Sequence, residues 1–244
     1  MIELLLAASL AAGTPDPGDG YLYKTLLLRA APGALLEVID LYVERMSVLD
    51  AAGEARPFMI RHSNGDQWDL LLLYPMGGFA DYYAPERIAR RERAAQAVGT
   101  SEADFQQELD RRVAWREEVF VMGPALDVVR GAFEHASYYH VEMFIALPGK
   151  RAKLLEERQM ENAYLKGIGR PQTLIFTRVA GAAWDLYTLG CYRDIKHWAA
   201  SADVPEEQRE SAALAAGFEG ADRIGTYMRT LIQWHRDTLG TALH

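Results

Sequence analysis

Three sets of residues in this 244-residue chain have types and spacing suited to chemistry. His140 and Glu142 lie two apart in the apolar run Tyr139 to Leu147. Alternation along a strand sends both to one face. A carboxylate beside an imidazole tunes it near neutral pH for acid–base work. Arg178 and Asp185 come together across a turn at Ala180-Gly181, with Tyr187 on the same face. His62, Gln67 and Asp69 form the matching set around Asn64-Gly65. His140, Glu142, Arg178 and Asp185 are therefore candidate catalytic residues, and His62, Asp69 and Tyr187 candidate ligand-binding residues. A structural reading stands beside this one: Asp69 and Asp185 also suit hydrogen bonds across the pseudo-twofold interface between the copies, fixing its register. His197 and His235 read as capping or surface residues.

Other chemistries lack their residues. No GxGxxG, Walker loop, HExxH, GxSxG or paired CxxC occurs, so no metal ligand set and no cofactor is assigned. The lone Cys191 excludes an intrachain disulfide framework and reads as a small core residue. Thirty-four acidic against 26 basic residues give a net charge of -8, without the basic footprint of a nucleic-acid binder. Arg87, Arg90, Arg91 and Arg93 form a local basic cluster, read as a solvated helix face.

The elements that position these residues follow from an internal repeat. Trp68-Asp69-Leu70 recurs as Trp184-Asp185-Leu186, Gly65 as Gly181, and Pro32-Gly33 as Pro148-Gly149, all 116 residues apart. Tyr23 to Ala30 and Tyr139 to Leu147 read as strands that stop at Pro-Gly. A helix follows each, and then a hairpin, for which Asn64-Gly65 is the strongest signal. Cross-strand pairing around two-residue turns sets Arg61 opposite Trp68 and Ile60 opposite Asp69. Pro85 to Glu118 reads as charged and helical, and Glu117 to Met122 as a fourth strand closing the first copy. No equal strand is seen in the second copy, whose tail, Ala202 to Leu243, reads as two helices. The last of these has Ile224, Tyr227, Met228, Leu231 and Trp234 on its apolar face.

The N-terminal run Ile2 to Ala12 has the length of an export signal's apolar core, followed by a helix-breaking Pro/Gly stretch. A periplasmic or secreted protein is the resulting expectation, with a packed N-terminal helix and a cytoplasmic location as the alternative. No segment is long and apolar enough to span a membrane.

A strand–helix–strand–strand unit whose first strand runs into Pro-Gly resembles the ferredoxin-like dimeric α/β-barrel superfamily. That group holds the NIPSNAP family, the antibiotic-biosynthesis monooxygenases, the EthD-like proteins and the tandem chlorite dismutases. The resemblance rests on Pro32-Gly33, Pro148-Gly149-Lys150 and the element order, and covers about half of the chain. It implies an α+β fold of tandem repeats forming one intramolecular barrel, with a helical C-terminal extension. Residues 1–20 would be signal and linker, 21–124 the first repeat, and 125–244 the second. Full closure depends on the fourth strand that the second copy lacks. Open edges there would pair between chains, so a homodimer is the expected assembly, with a small molecule as the expected ligand. By default the polar faces, with His140 and Glu142, point into the barrel, and Trp68 and Trp184 pack beneath the helices.

The resemblance implies a small-molecule-binding protein or a cofactor-independent enzyme of the NIPSNAP or monooxygenase-like type. Two other readings stand beside it. A haem protein like the tandem chlorite dismutases would need His140 or His197 to face an apolar cavity. A non-catalytic interaction protein would use the charged helices between Pro85 and Glu118.

Overall fold

Each half of the chain begins with a strand that ends in the same turn. Ala34 donates its N–H to the Ala31 carbonyl across Pro32-Gly33, and Lys150 to Leu147 across Pro148-Gly149, both at 2.9 Å. Proline presets φ at the second position and glycine takes the left-handed third, with φ of 85° at Gly33 and 77° at Gly149. These are type II turns, and each delivers the chain into a 17-residue helix.

The computed structural model describes residues 20–243, so the export signal expected at Ile2 to Ala12 lies outside the described residues. In chain order the first half holds β1 (Tyr21–Ala30), α1 (Leu35–Ala51), β2 (Phe58–Asn64), β3 (Leu70–Gly77), α2 (Phe79–Tyr82), α3 (Pro85–Ala97), α4 (Glu102–Arg112) and β4 (Val113–Gly123). After α5 (Leu126–Glu134) come β5 (Tyr138–Ala146), α6 (Arg151–Gly167), β6 (Leu174–Ala180), β7 (Leu186–Tyr192), α7 (Ile195–Ala199), α8 (Glu206–Ala215), α9 (Ile224–Arg229) and β8 (Ile232–Ala242).

The strands form one closed antiparallel barrel in the order β1-β3-β2-β8-β5-β7-β6-β4. Within it, β4-β1-β3-β2 and β8-β5-β7-β6 have the same ferredoxin-like order. The two sets meet where β2 pairs with β8 and where β4 pairs with β6. No helix among the described residues is long and apolar enough to cross a membrane.

Strand β8 corrects the expectation of a helical tail and a missing fourth strand. The apolar helical spacing of Ile224 to Trp234 ends at Arg229, and Trp234 belongs to the strand. Thr238, Gly240 and Thr241 are poor helix formers. Hydrogen bonding to β2 on one side and β5 on the other decides the outcome. Closure also leaves no barrel edge free to pair between chains, which removes the argument given above for a homodimer. In the first half the charged helical stretch divides at Ser101, whose hydroxyl accepts the Asp104 N–H at 3.1 Å and caps α4. Strand β4 starts four residues earlier than expected, at Val113.

The expected placement of the faces is partly reversed. Tyr139, Val141 and Met143 line the barrel interior with Tyr23, Leu27, Leu71, Phe176 and Tyr187. Phe144, on the face shared by His140 and Glu142, packs instead with Leu154 of α6 and Met228 of α9. An eight-stranded barrel is just wide enough for its own side chains to fill it. The bulky aromatic face therefore goes inside, and the polar face goes under the helices. Trp68 and Trp184 also join the interior cluster, not the layer beneath the helices. Both lie before their strands begin, in turns longer than two residues: Arg61 pairs with Leu70 and Ile60 with Leu71. A slip of two preserves which residues share a face. Helix α5, not anticipated from the sequence, sets Val129 into the same interior cluster. Burying each large side chain there contributes roughly 1.5–3 kcal/mol.

Both hairpin glycines sit against the opposite half. A Cβ on Gly65 would lie 2.2 Å from the Asp237 carbonyl oxygen, and one on Gly181 would lie 2.5 Å from that of Glu118. Only glycine admits these contacts at φ 122° and 104°.

Candidate functional site

The repeated Trp-Asp-Leu segment holds strand ends together within each half, not across the interface between the halves as expected from the sequence. Asp69 Oδ2 accepts the Ala30 N–H at 2.8 Å, and Asp185 Oδ2 accepts the Ala146 N–H at 2.9 Å. Their backbone N–H groups donate to Leu28 and Phe144 at 2.7 and 2.8 Å. Asp185 Oδ1 also accepts from Arg178 Nη2 at 3.0 Å. Tyr187 is fully buried in the barrel, with its hydroxyl 3.0 Å from Thr25 Oγ1. His62 stacks edge-on against Trp68 at 5.7 Å, and its buried Nε2 has no partner among the described residues. Thus Arg178 and Asp185 are brought together, and so are His140 and Glu142, but the two pairs belong to different clusters.

The space between sheet and helices differs in the two halves. In the first, a cavity of about 220 Å³ lies between β1, β3 and β4 on one side and α1, α3 and α4 on the other. Lys24, Arg45, Arg91 and Arg116 line it with Glu92, Glu102 and Glu118, an excess of one positive charge. Its walls carry Tyr42, Tyr74, Tyr82, Tyr83 and Phe105. Lys24 Nζ stands 3.7 Å from Glu118 and 5.0 Å above the Tyr74 ring. The Arg45 guanidinium lies 4.6 Å over Phe105 and bonds Glu102 through Nη2. Arg45 is 8% exposed, and its Nη1 is buried without a partner among the described residues. Burial raises the Tyr42 and Tyr74 hydroxyls above the usual phenol range. They are hydrogen-bond donors at neutral pH, and not bases.

In the second half the same place is filled with polar side chains. Register sets Leu26 opposite Glu118 in one half and Glu142 opposite Asp237 in the other. His140 therefore takes the place of Lys24, and Glu142 that of Leu26. His140 Nε2 is 3.0 Å from Asp237 Oδ1, and Thr188 Oγ1 donates to Glu142 at 3.3 Å. From α6, Arg158 bonds Glu157 at 2.6 and 2.7 Å and also pairs with Glu161. Burial, reinforced by the Glu161 charge, raises the Glu142 carboxyl above the usual carboxylate range. For His140 burial works downward, but Asp237 and Glu142 outweigh it and raise the imidazole.

Sequence reasoning found His140 and Glu142 but missed Asp237, Arg158 and Glu161. One signal was available: His140-x-Glu142 is echoed by His235-x-Asp237, an alternation that suits a strand. The first-half cavity left no sequence motif. The arginine cluster is not wholly solvated, because Arg87 binds Glu54 at 2.8 and 2.5 Å while Arg87 and Arg91 cover the Tyr82 ring.

The haem expectation finds poor support in these residues. His140 Nε2 is engaged by Asp237, and Glu142, Arg158 and Glu161 crowd the place where an apolar cavity would be needed. His197 Nδ1 accepts the Arg193 N–H at 3.2 Å beside an exposed turn, and no histidine among the described residues lines the first-half cavity.

The architecture is that of the dimeric α/β barrel, formed here within one chain. It is similar to the crystal structure of an anthrone oxidase-like protein, at 13% identity and a TM-score of 0.54, over 94% of both chains. A protein of Lactobacillus acidophilus NCFM assigned as a monooxygenase has 10% identity and a TM-score of 0.53, covering 91% of this chain and 93% of its own. One of Fusobacterium nucleatum with the same assignment has 10% identity and the same score, covering 92% and 93%. Neither a known family's sequence model nor a curated protein sequence matches the chain. The fold alone follows from these likenesses.

Proposed function

We propose that the protein binds a small planar aromatic anion in the first-half cavity. It would do so as a binding protein or as a cofactor-independent enzyme of the monooxygenase-like type. The observation that carries this reading is Arg45, a nearly buried guanidinium among aromatic rings with one nitrogen lacking a partner among the described residues. An orphaned buried donor costs about 1–3 kcal/mol, which a ligand carboxylate or phenolate would relieve. The rings offer flat apolar walls for a planar ligand. Fold likeness to an anthrone oxidase-like protein is consistent with an aromatic ligand, and likeness to proteins assigned as monooxygenases with the enzymatic form of the reading.

Calorimetric titration with 2-naphthoate and with uncharged 2-acetylnaphthalene tests the reading. Wild-type protein should prefer the carboxylate by about tenfold or more, the worth of one charge-assisted hydrogen bond. Arg45→Met should erase that preference while leaving the fold intact. Equal binding of both compounds, or a preference that survives in Arg45→Met, would refute it.

A further inference from the structure

Strands β5 and β8 present two pairs of metal-ligating residues to one face of the sheet. His140 and Glu142 are two apart on β5, and His235 and Asp237 are two apart on β8. Alternation gives each pair a common face. Register sets Glu142 directly opposite Asp237, so the two carboxyl groups meet on one face of the sheet. One donor atom from each of His140, Glu142 and Asp237 lies within 4.8 Å of the others. His235 Nε2 holds the second oxygen of Asp237 at 3.2 Å.

Carboxyl groups outnumber fixed cations around this face. Glu142, Glu157 and Glu161 are grouped about a single guanidinium, Arg158, while Asp237 is met by His140 and His235. Arg158 is committed to Glu157 and Glu161 and stands 3.7 Å from Glu142. The first half shows how the same position is neutralised from within. There the ammonium of Lys24 faces Glu118, with apolar Leu26 in the place of Glu142. The second half exchanges that fixed cation for an imidazole and adds a second carboxylate.

We propose that His140 Nε2 and the carboxylates of Glu142 and Asp237 bind a divalent transition-metal ion of the zinc class. Mixed imidazole and carboxylate donors suit such an ion better than they suit magnesium or calcium. Three protein ligands leave a coordination position for water, as in catalytic and not structural zinc sites. Asp237, with its side chain 51% exposed, gives the site an open side and has freedom to close on the ion. Thr188 and His235 orient the two carboxylates as outer partners. This site is separate from the first-half cavity and does not depend on the function proposed for it.

The test uses the full chain, stripped with a chelator and dialysed. Zn²⁺ titrated calorimetrically should bind one ion per chain, and Co²⁺ should give visible absorption bands. His140→Ala and Asp237→Asn should each weaken binding by at least about tenfold, and His235→Ala by less. Asp222→Asn, an exposed carboxylate elsewhere, should change nothing. Mn²⁺ added to unmodified protein should broaden the ring resonances of His140 and His235 before those of His62 and His197, which keeps the test independent of variant folding. Absence of saturable binding, full-strength binding in both ligand variants, or broadening centred on other histidines would overturn the proposal.

Discussion

Thr25 and Tyr187 join the two halves through the middle of the barrel, and their hydrogen bond allows a quantitative test of the fold. Both residues are almost wholly buried, with 3.0 Å between their oxygens. The Tyr187 ring stacks on Phe176 at 4.7 Å and meets Trp184 edge-on at 5.5 Å, so Tyr187→Phe keeps the packing and removes only the hydroxyl. The Thr25 hydroxyl is then stranded in an apolar interior, which costs about 1–3 kcal/mol. Thr25→Val strands the tyrosine hydroxyl in the same way and at similar cost. With both hydroxyls gone no orphan remains, so the double variant should lose less than the sum of the singles, with a coupling of about 1 kcal/mol or more. Urea unfolding of the four proteins measures this, provided that the slopes agree. For a chain of this size a 2 kcal/mol loss lowers Tm by roughly 4–8 °C. Additive losses, or a neutral Tyr187→Phe, would refute the tie and return the hydroxyl to its candidate role in ligand binding.

Asp69→Ala and Asp185→Ala should each destabilise by about 1–2 kcal/mol, since both leave a strand-end N–H without its acceptor, with Asp185→Ala the costlier because it also removes the partner of Arg178; paired thermal melts check the order. For Glu54, burial acts upward, but the bonds from Arg87 and the charges of Arg91 and Arg90 outweigh it and hold the carboxyl below its ordinary value. Its stabilisation should be complete above the unfolded value of about 4.3 and fade as pH falls through the lower folded value. Urea midpoints against pH should therefore be flatter for Glu54→Gln than for the wild type. Burial pushes the Cys191 thiol up to about 12, so a disulfide reagent at pH 8 should react slowly with the folded protein and at once in denaturant.

Local rules made much of the frame legible. Pro-Gly announced both type II turns, and the Trp-Asp-Leu repeat marked both strand-end clasps. The faces of the hairpins survived an error of two residues in register. Which face turned inward was not legible, because β5 has an apolar face on one side and a half-polar one on the other, and only the closed barrel decides between them. Strand β8 was hidden for a related reason. Its first residues continue a helical spacing, and the partners that make it a strand lie on β2 and β5, far away in the sequence. With β8 went Asp237, so His140 and Glu142 were found without the residue that completes their cluster.

The position of β8 has a kinetic consequence. It is the last strand in chain order, yet it stands in the ring between the second and the fifth, β2 and β5. Until it docks, each half-built sheet keeps an unprotected flank, and the closing contacts span some of the longest separations in the sequence. Such late, non-local closure slows folding. It also gives a second molecule's β8 time to enter the same gap, so exchange of this strand between chains is the characteristic misassembly to expect at high concentration.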